Sequence, residues 1–93
     1  MAKTLFMVVE RFKDGNAAPV YRRLRDKGRM APPGVEYVSS WVDETLSHCY
    51  QLMEADDRGQ LDEWMTHWND LIDFEVHIVL TSKQAAEAMA PLL

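Results

Sequence analysis

Ninety-three residues leave room for one domain, read here as a single domain over 1–93, because typical domains run to roughly 100–150 residues. Apolar residues make up 47% and charged residues 27%, the balance of a folded chain rather than a disordered one. No run approaches the roughly 18 apolar residues of a membrane helix, and the start Met1-Ala2-Lys3-Thr4 does not read as a signal peptide. The single cysteine, Cys49, excludes an internal disulfide and suits a reducing, cytoplasmic setting.

The net charge of −5 is unevenly spread. Residues 1–30 carry eight Lys+Arg against three Asp+Glu, whereas residues 31–93 carry two against twelve. A net-negative protein repels nucleic acid at long range, so nucleic acid is not an expected partner. The basic segment is expected to face solvent or an acidic surface of the same protein or its partner.

Lys3 to Phe12 is rich in β-formers and predicts a strand. Asp14-Gly15-Asn16 is turn chemistry, with Asn16 a candidate helix cap. Ala17 to Lys27 places Val20, Tyr21 and Leu24 at helical spacing and Gly28 at the stop. After the rigid loop Met30-Ala31-Pro32-Pro33-Gly34, Val35–Val42 and Ser47–Glu54 predict two strands joined at Asp43-Glu44-Thr45-Leu46. Asp57 and Gln60 form a loose capping box before Leu61, Trp64, Met65, Trp68 and Leu71, the apolar stripe of a second helix. Asp73–Leu80 predicts a fourth strand, and Thr81 to Gln84 can cap a short last helix, Lys83–Met89.

The order β-α-β-β-α-β is the split βαβ, ferredoxin-like order: an α+β fold with a four-stranded antiparallel sheet, both main helices on one face, and a short C-terminal helix. Parity puts Phe74, Val76, Ile78 and Leu80 beneath the helices and Asp73, Glu75, His77 and Val79 opposite. The opposite face is expected to carry Tyr37, Ser39 and Trp41 with Cys49, Gln51 and Met53. From the first strand it takes Phe6, Val8 and Glu10, in preference to the alternative set Leu5, Met7, Val9 and Arg11. Such a face is too apolar for water and too polar for a dry core, so a partner is expected to cover it.

A group of local motifs supports a resemblance. They are Glu10-Arg11-Phe12, Gly28-Arg29-Met30, Ser40-Trp41, Cys49-Tyr50-Gln51-Leu52-Met53-Glu54, Asp56-Asp57, Trp64 and Trp68 leading into Asp70-Leu71, Phe74-Glu75 and Thr81-Ser82. Together they are similar to a small bacterial family of single-domain proteins, which in turn resembles the dimeric α+β-barrel group of ferredoxin-like folds. The resemblance implies a homodimer in which two open sheets face each other. That wider group includes small monooxygenases, isomerases and haem-degrading enzymes beside members without demonstrated catalysis, so the fold does not settle the function.

Residue chemistry narrows the field further. There is no G-x-G-x-x-G and no Walker-type loop. The third strand has one aromatic residue and no Lys or Arg, unlike an RNA-recognition strand. His48, His67 and His77 lack metal spacing, and by the same parity His48 and His77 fall on opposite faces, so no metal and no cofactor are expected. Trp64 and Trp68 are read as core and His67 as a solvated residue. Cys49 reads as a small buried hydrophobe before a nucleophile.

Glu10 and Glu75 are expected to be cross-strand neighbours with His77 one step along, a set suited to general acid–base work or, with Arg11 or Arg29, to a dimer salt bridge. The candidate ligand site is therefore Glu10, Trp41, Gln51, Glu75 and His77, between the sheet and a dimer partner, binding a small molecule. The alternatives are a non-catalytic homodimeric interaction module, or an enzyme like the monooxygenases and isomerases of the barrel group.

Overall fold

A computed structural model describes residues 3–93. Met1 and Ala2, the beginning of the segment read above as carrying no signal peptide, lie outside the described residues. The strands are β1 (Thr4–Phe12), β2 (Val35–Val42), β3 (His48–Ala55) and β4 (Ile72–Ile78). The helices are α1 (Ala18–Lys27), α2 (Arg58–Met65) and α3 (Ser82–Met89), with 3-10 turns at Lys13–Gly15 and Ala90–Leu92. The sheet is antiparallel throughout, in the order β2-β3-β1-β4, consistent with a ferredoxin-like arrangement. Among the described residues no helix is long and apolar enough to cross a membrane.

The element ends follow from local chemistry. Asn16 Oδ1 accepts from the Ala18 N–H at 3.1 Å, and Gly28, at φ +69°, closes α1 by donating its N–H to the Leu24 carbonyl. Asp57 accepts from the Gln60 N–H at 2.9 Å, while Gln60 Oε1 accepts from the N–H of Asp56, one residue before the cap. Thr81 and Gln84 form a reciprocal capping box. α2 stops at Met65, earlier than the apolar stripe implies. Trp68 and Asn69 both donate to the Met65 carbonyl, and the chain turns through Leu71 into β4. Trp68 is buried from this turn rather than from the helix.

The core lies between the sheet and the pair α1 and α2. Phe6, Val8 and Phe12 of β1 and Met53 and Ala55 of β3 pack against Val20, Leu61, Trp64, Trp68 and Ile72. The expected face assignment is therefore corrected for the central strands. Phe6, Val8 and Glu10, with Cys49, Gln51 and Met53, point to the helices, and the alternative set Leu5, Met7, Val9 and Arg11 forms the open face. Both faces of β1 are apolar along most of their length, so alternation alone does not choose between them.

On β4, Phe74 and Val76 lie on the helix side as expected. Ile78, opposite Phe6, shares that side, but neither it nor Leu80 is covered: they are 73% and 60% exposed, beyond the reach of the short helices. On β2 a bulge between Tyr37 and Ser39 changes the phase. Tyr37 joins the helix side, opposite Met53, while Ser39 and Trp41 stay on the open face. His48 and His77 both belong to the open face, opposite Arg11 and Met7 of β1, and not to opposite faces.

The basic segment meets acidic groups of the same chain. Arg23 of α1 holds Asp70 in a two-pronged pair at 2.7 and 2.8 Å and lies over the Trp68 ring, while Arg11 pairs with Asp73. α3 carries no buried residue, and the described chain measures 47 × 30 × 17 Å.

Candidate functional site

A cavity of about 200 Å³ opens between the sheet, α1 and the segment from α2 to β4. Its apolar wall is Phe12, Val20, Leu24, Val42, Trp64, Trp68 and Ile72, and its polar groups are Glu10, Tyr21, Arg29, Ser40, Cys49 and Gln51. β1 delivers Glu10 and β3 delivers Cys49 and Gln51 because these positions share the pleat parity of the core residues Val8 and Met53. Arg29 comes from the loop that Gly28 starts.

Three side chains form a row at the polar end. Arg29 Nε donates to Gln51 Oε1 at 3.2 Å, and Gln51 Nε2 donates to Glu10 Oε2 at 3.3 Å. Among the described residues, no hydrogen bond reaches the other oxygen, Oε1 of Glu10, although the residue is only 5% exposed. Arg29 is itself held from two sides. Its guanidinium stacks 3.6 Å from the Tyr37 ring centre, and its carbonyl accepts from the indole N–H of both Trp64 and Trp68, each at 3.0 Å. The Tyr37 hydroxyl in turn meets Ser40 Oγ at 2.8 Å.

Burial sets the acid–base properties. It pushes the Glu10 carboxyl up to about 7, against the opposing pull of the Arg29 charge. Burial, followed by the nearby Glu10 charge, pushes the Cys49 thiol up to about 12, and burial raises Tyr21 as well. A carboxyl that titrates near neutrality beside a cavity can give a proton to a bound molecule or take one from it. Cys49, by contrast, is a poor nucleophile here.

The candidate residues are thus divided between two faces. Glu10 and Gln51 meet in the cavity. Trp41, Glu75 and His77 lie on the open face, where Glu75 Oε2 and His77 Nε2 approach to 2.8 Å and Trp41 is 56% exposed. Glu10 and Glu75 are not neighbours, because Glu10 stands opposite Phe74 and Glu75 opposite Val9.

The sequence reading missed Arg29 as a member of the cavity wall, together with Tyr21, Ser40 and Cys49. Pleat parity with Gln51 and Glu10 groups Cys49 correctly once the face is known. No periodic signal marks Arg29, which sits in an irregular loop.

Fold and cavity together define a small α+β domain that encloses one buried carboxyl beside one arginine. The chain matches the family described as Domain of unknown function (DUF3303) over residues 4–93 and belongs to it. No curated protein and no solved structure matches the chain.

Proposed function

We propose that this protein binds a small molecule, about one ring in size, in the cavity between the sheet and α1 and α2. The observation that carries the reading is Glu10: a carboxyl 5% exposed that leaves one oxygen unbonded by the described residues while lining a cavity. No buried side-chain nitrogen or oxygen of the described residues lacks a partner, so this oxygen is open to the cavity, where it is free to meet a bound molecule. The size estimate comes from volume: about 200 Å³ is slightly more than the roughly 150 Å³ that accommodates a benzene. The site proposed from sequence thereby moves from the partner-facing side of the sheet to the helix side. Proton transfer is the chemistry such a site is equipped to perform.

The test is a melting-temperature and calorimetry screen of one-ring and short branched compounds, repeated on Val20→Phe, which fills the cavity. Binding to the parent that disappears in the folded variant supports the reading. A folded parent that binds none of them overturns it.

A second reading concerns the open face, and it has its own observations. Trp41 and Tyr50 are exposed there, no helix among the described residues covers them, and α3 buries none of its residues. We propose a homodimer through this face, with the cavity on the opposite, helix side of the sheet in each protomer. A monomer mass by light scattering at tens of micromolar would count against it.

A further inference from the structure

Arg29 is the cation of the cavity wall, and among the described residues no carboxylate bonds it directly. Arg11, Arg23, Arg25 and Arg58 each hold a carboxylate, whereas among the described residues Arg29, like the exposed Arg22, makes no ion pair. Gln51 stands between it and Glu10, taking a hydrogen bond from one and giving a hydrogen bond to the other. A guanidinium keeps its charge at any working pH. Stacking on Tyr37 offsets only part of what its partial withdrawal from water costs.

We infer that the cavity takes a small organic monoanion, a single ring or short branched chain bearing one acidic group, held between the Arg29 guanidinium and the Glu10 carboxyl. The inference rests on the reading of the cavity as a ligand site. One cation in the wall matches one negative charge, and Phe12, Trp64 and Trp68 offer flat apolar surface to the ligand body. Two carboxylates cannot face each other ionised, so Glu10 takes up a proton from solvent when the anion enters, and its Oε1 hydroxyl then donates to the ligand. The ionisable groups facing Glu10 are Tyr21 from α1, Arg29 from the following loop and Cys49 from β3. β4 presents Phe74, and the segment from α2 to β4 presents Trp64, Trp68 and Ile72, none of them ionisable. Tyr21 and Cys49 are shifted toward their neutral forms, which leaves Arg29 as the charge Glu10 feels.

The test compares benzoate, benzyl alcohol and benzylamine by titration calorimetry at pH 6, 7 and 8. Benzoate is expected to bind at least tenfold tighter than the other two at pH 6. Its affinity should fall about tenfold per pH unit above 7, with proton uptake visible in buffers of different ionisation enthalpy. Arg29→Met should abolish the preference for benzoate, and Arg29→Lys should retain it. Glu10→Gln should retain benzoate binding but flatten its pH dependence, since the amide donates at every pH.

If benzyl alcohol or benzylamine binds as well as benzoate, the ligand class is overturned and the cavity reading stands. If no probe of any charge binds to the folded protein, the cavity reading falls and the inference falls with it. If benzoate binding survives Val20→Phe, the anion sits elsewhere and the inference is overturned.

Discussion

Trp64 and Trp68 converge on a single acceptor: both indole N–H groups donate to the carbonyl oxygen of Arg29, at 3.0 Å each. The two rings are core, and they also pin the backbone of the residue whose side chain reaches into the cavity. Trp64→Ala and Trp68→Ala should each cost about 3–5 kcal/mol in stability. Trp64→Phe, which keeps much of the ring but removes the donor, should cost less, about 1–2 kcal/mol. Urea denaturation measures both, and an alanine variant that unfolds with the parent midpoint would remove that ring from the core.

Glu10 should make the protein more stable in mild acid than in mild base. Its folded value of about 7 lies above the ordinary 4.5, so between those limits the folded state binds more protons than the unfolded state. Stability contributed by this group is full below pH 4.5 and falls as pH rises, with a total loss on the order of 3 kcal/mol above pH 7. Glu10→Gln removes the dependence and should melt higher than the parent at pH 8, with the gap closing toward pH 5. Parallel melting curves across that range would show that the carboxyl is not desolvated.

Cys49 should resist thiol reagents in the native state. With the thiol pushed up to about 12 from 9.0, the thiolate fraction at pH 8 drops on the order of a thousandfold, and burial blocks access as well. Labelling with a disulfide reagent should proceed at the global unfolding rate. Rapid labelling under native conditions would mean that the cavity admits the reagent and that the thiol is less shielded than its position indicates.

The open face and α3 should matter for assembly and not for folding. Removing residues 82–93 deletes no buried side chain, so the melting temperature of the remaining body should stay within a few degrees of the parent. Trp41→Asp should leave each protomer folded and lower the mass seen by light scattering from dimer to monomer. Glu75→Gln breaks an exposed contact with His77 and should change stability by less than about 1 kcal/mol. A large stability loss in any of these variants would place that residue in the protomer core.

Much of the fold was legible because it is written in local chemistry. Asp57, Thr81 and Gly28 announce helix ends through hydrogen bonds that close within a few residues. The strand order follows from element order and crossover handedness. The faces of β1 are not legible, because Leu5, Met7 and Val9 are as apolar as Phe6 and Val8, so alternation leaves the outer set open. A carboxylate facing a cavity and a carboxylate facing solvent leave the same mark in a sequence. Gln51 was correctly grouped with Glu10, since both belong to central strands paired in one register. Trp41, Glu75 and His77 were grouped with them only through the inverted face. Arg29 was illegible as a cavity residue, because its position depends on two tryptophans about forty residues away.

The bulge at Val38 lets one strand serve two surfaces. Positions 37, 40 and 42 border the cavity side, and positions 39 and 41 the outer side. The extra residue shifts the phase between Tyr37 and the residues that follow. Substitutions on the two surfaces therefore need not keep step across it. Variation at Ser40 or Val42 reshapes the cavity wall, whereas variation at Trp41 reshapes the outer surface of the sheet. Within eight consecutive residues, the inner wall and the outer surface can diverge independently among descendants of this chain.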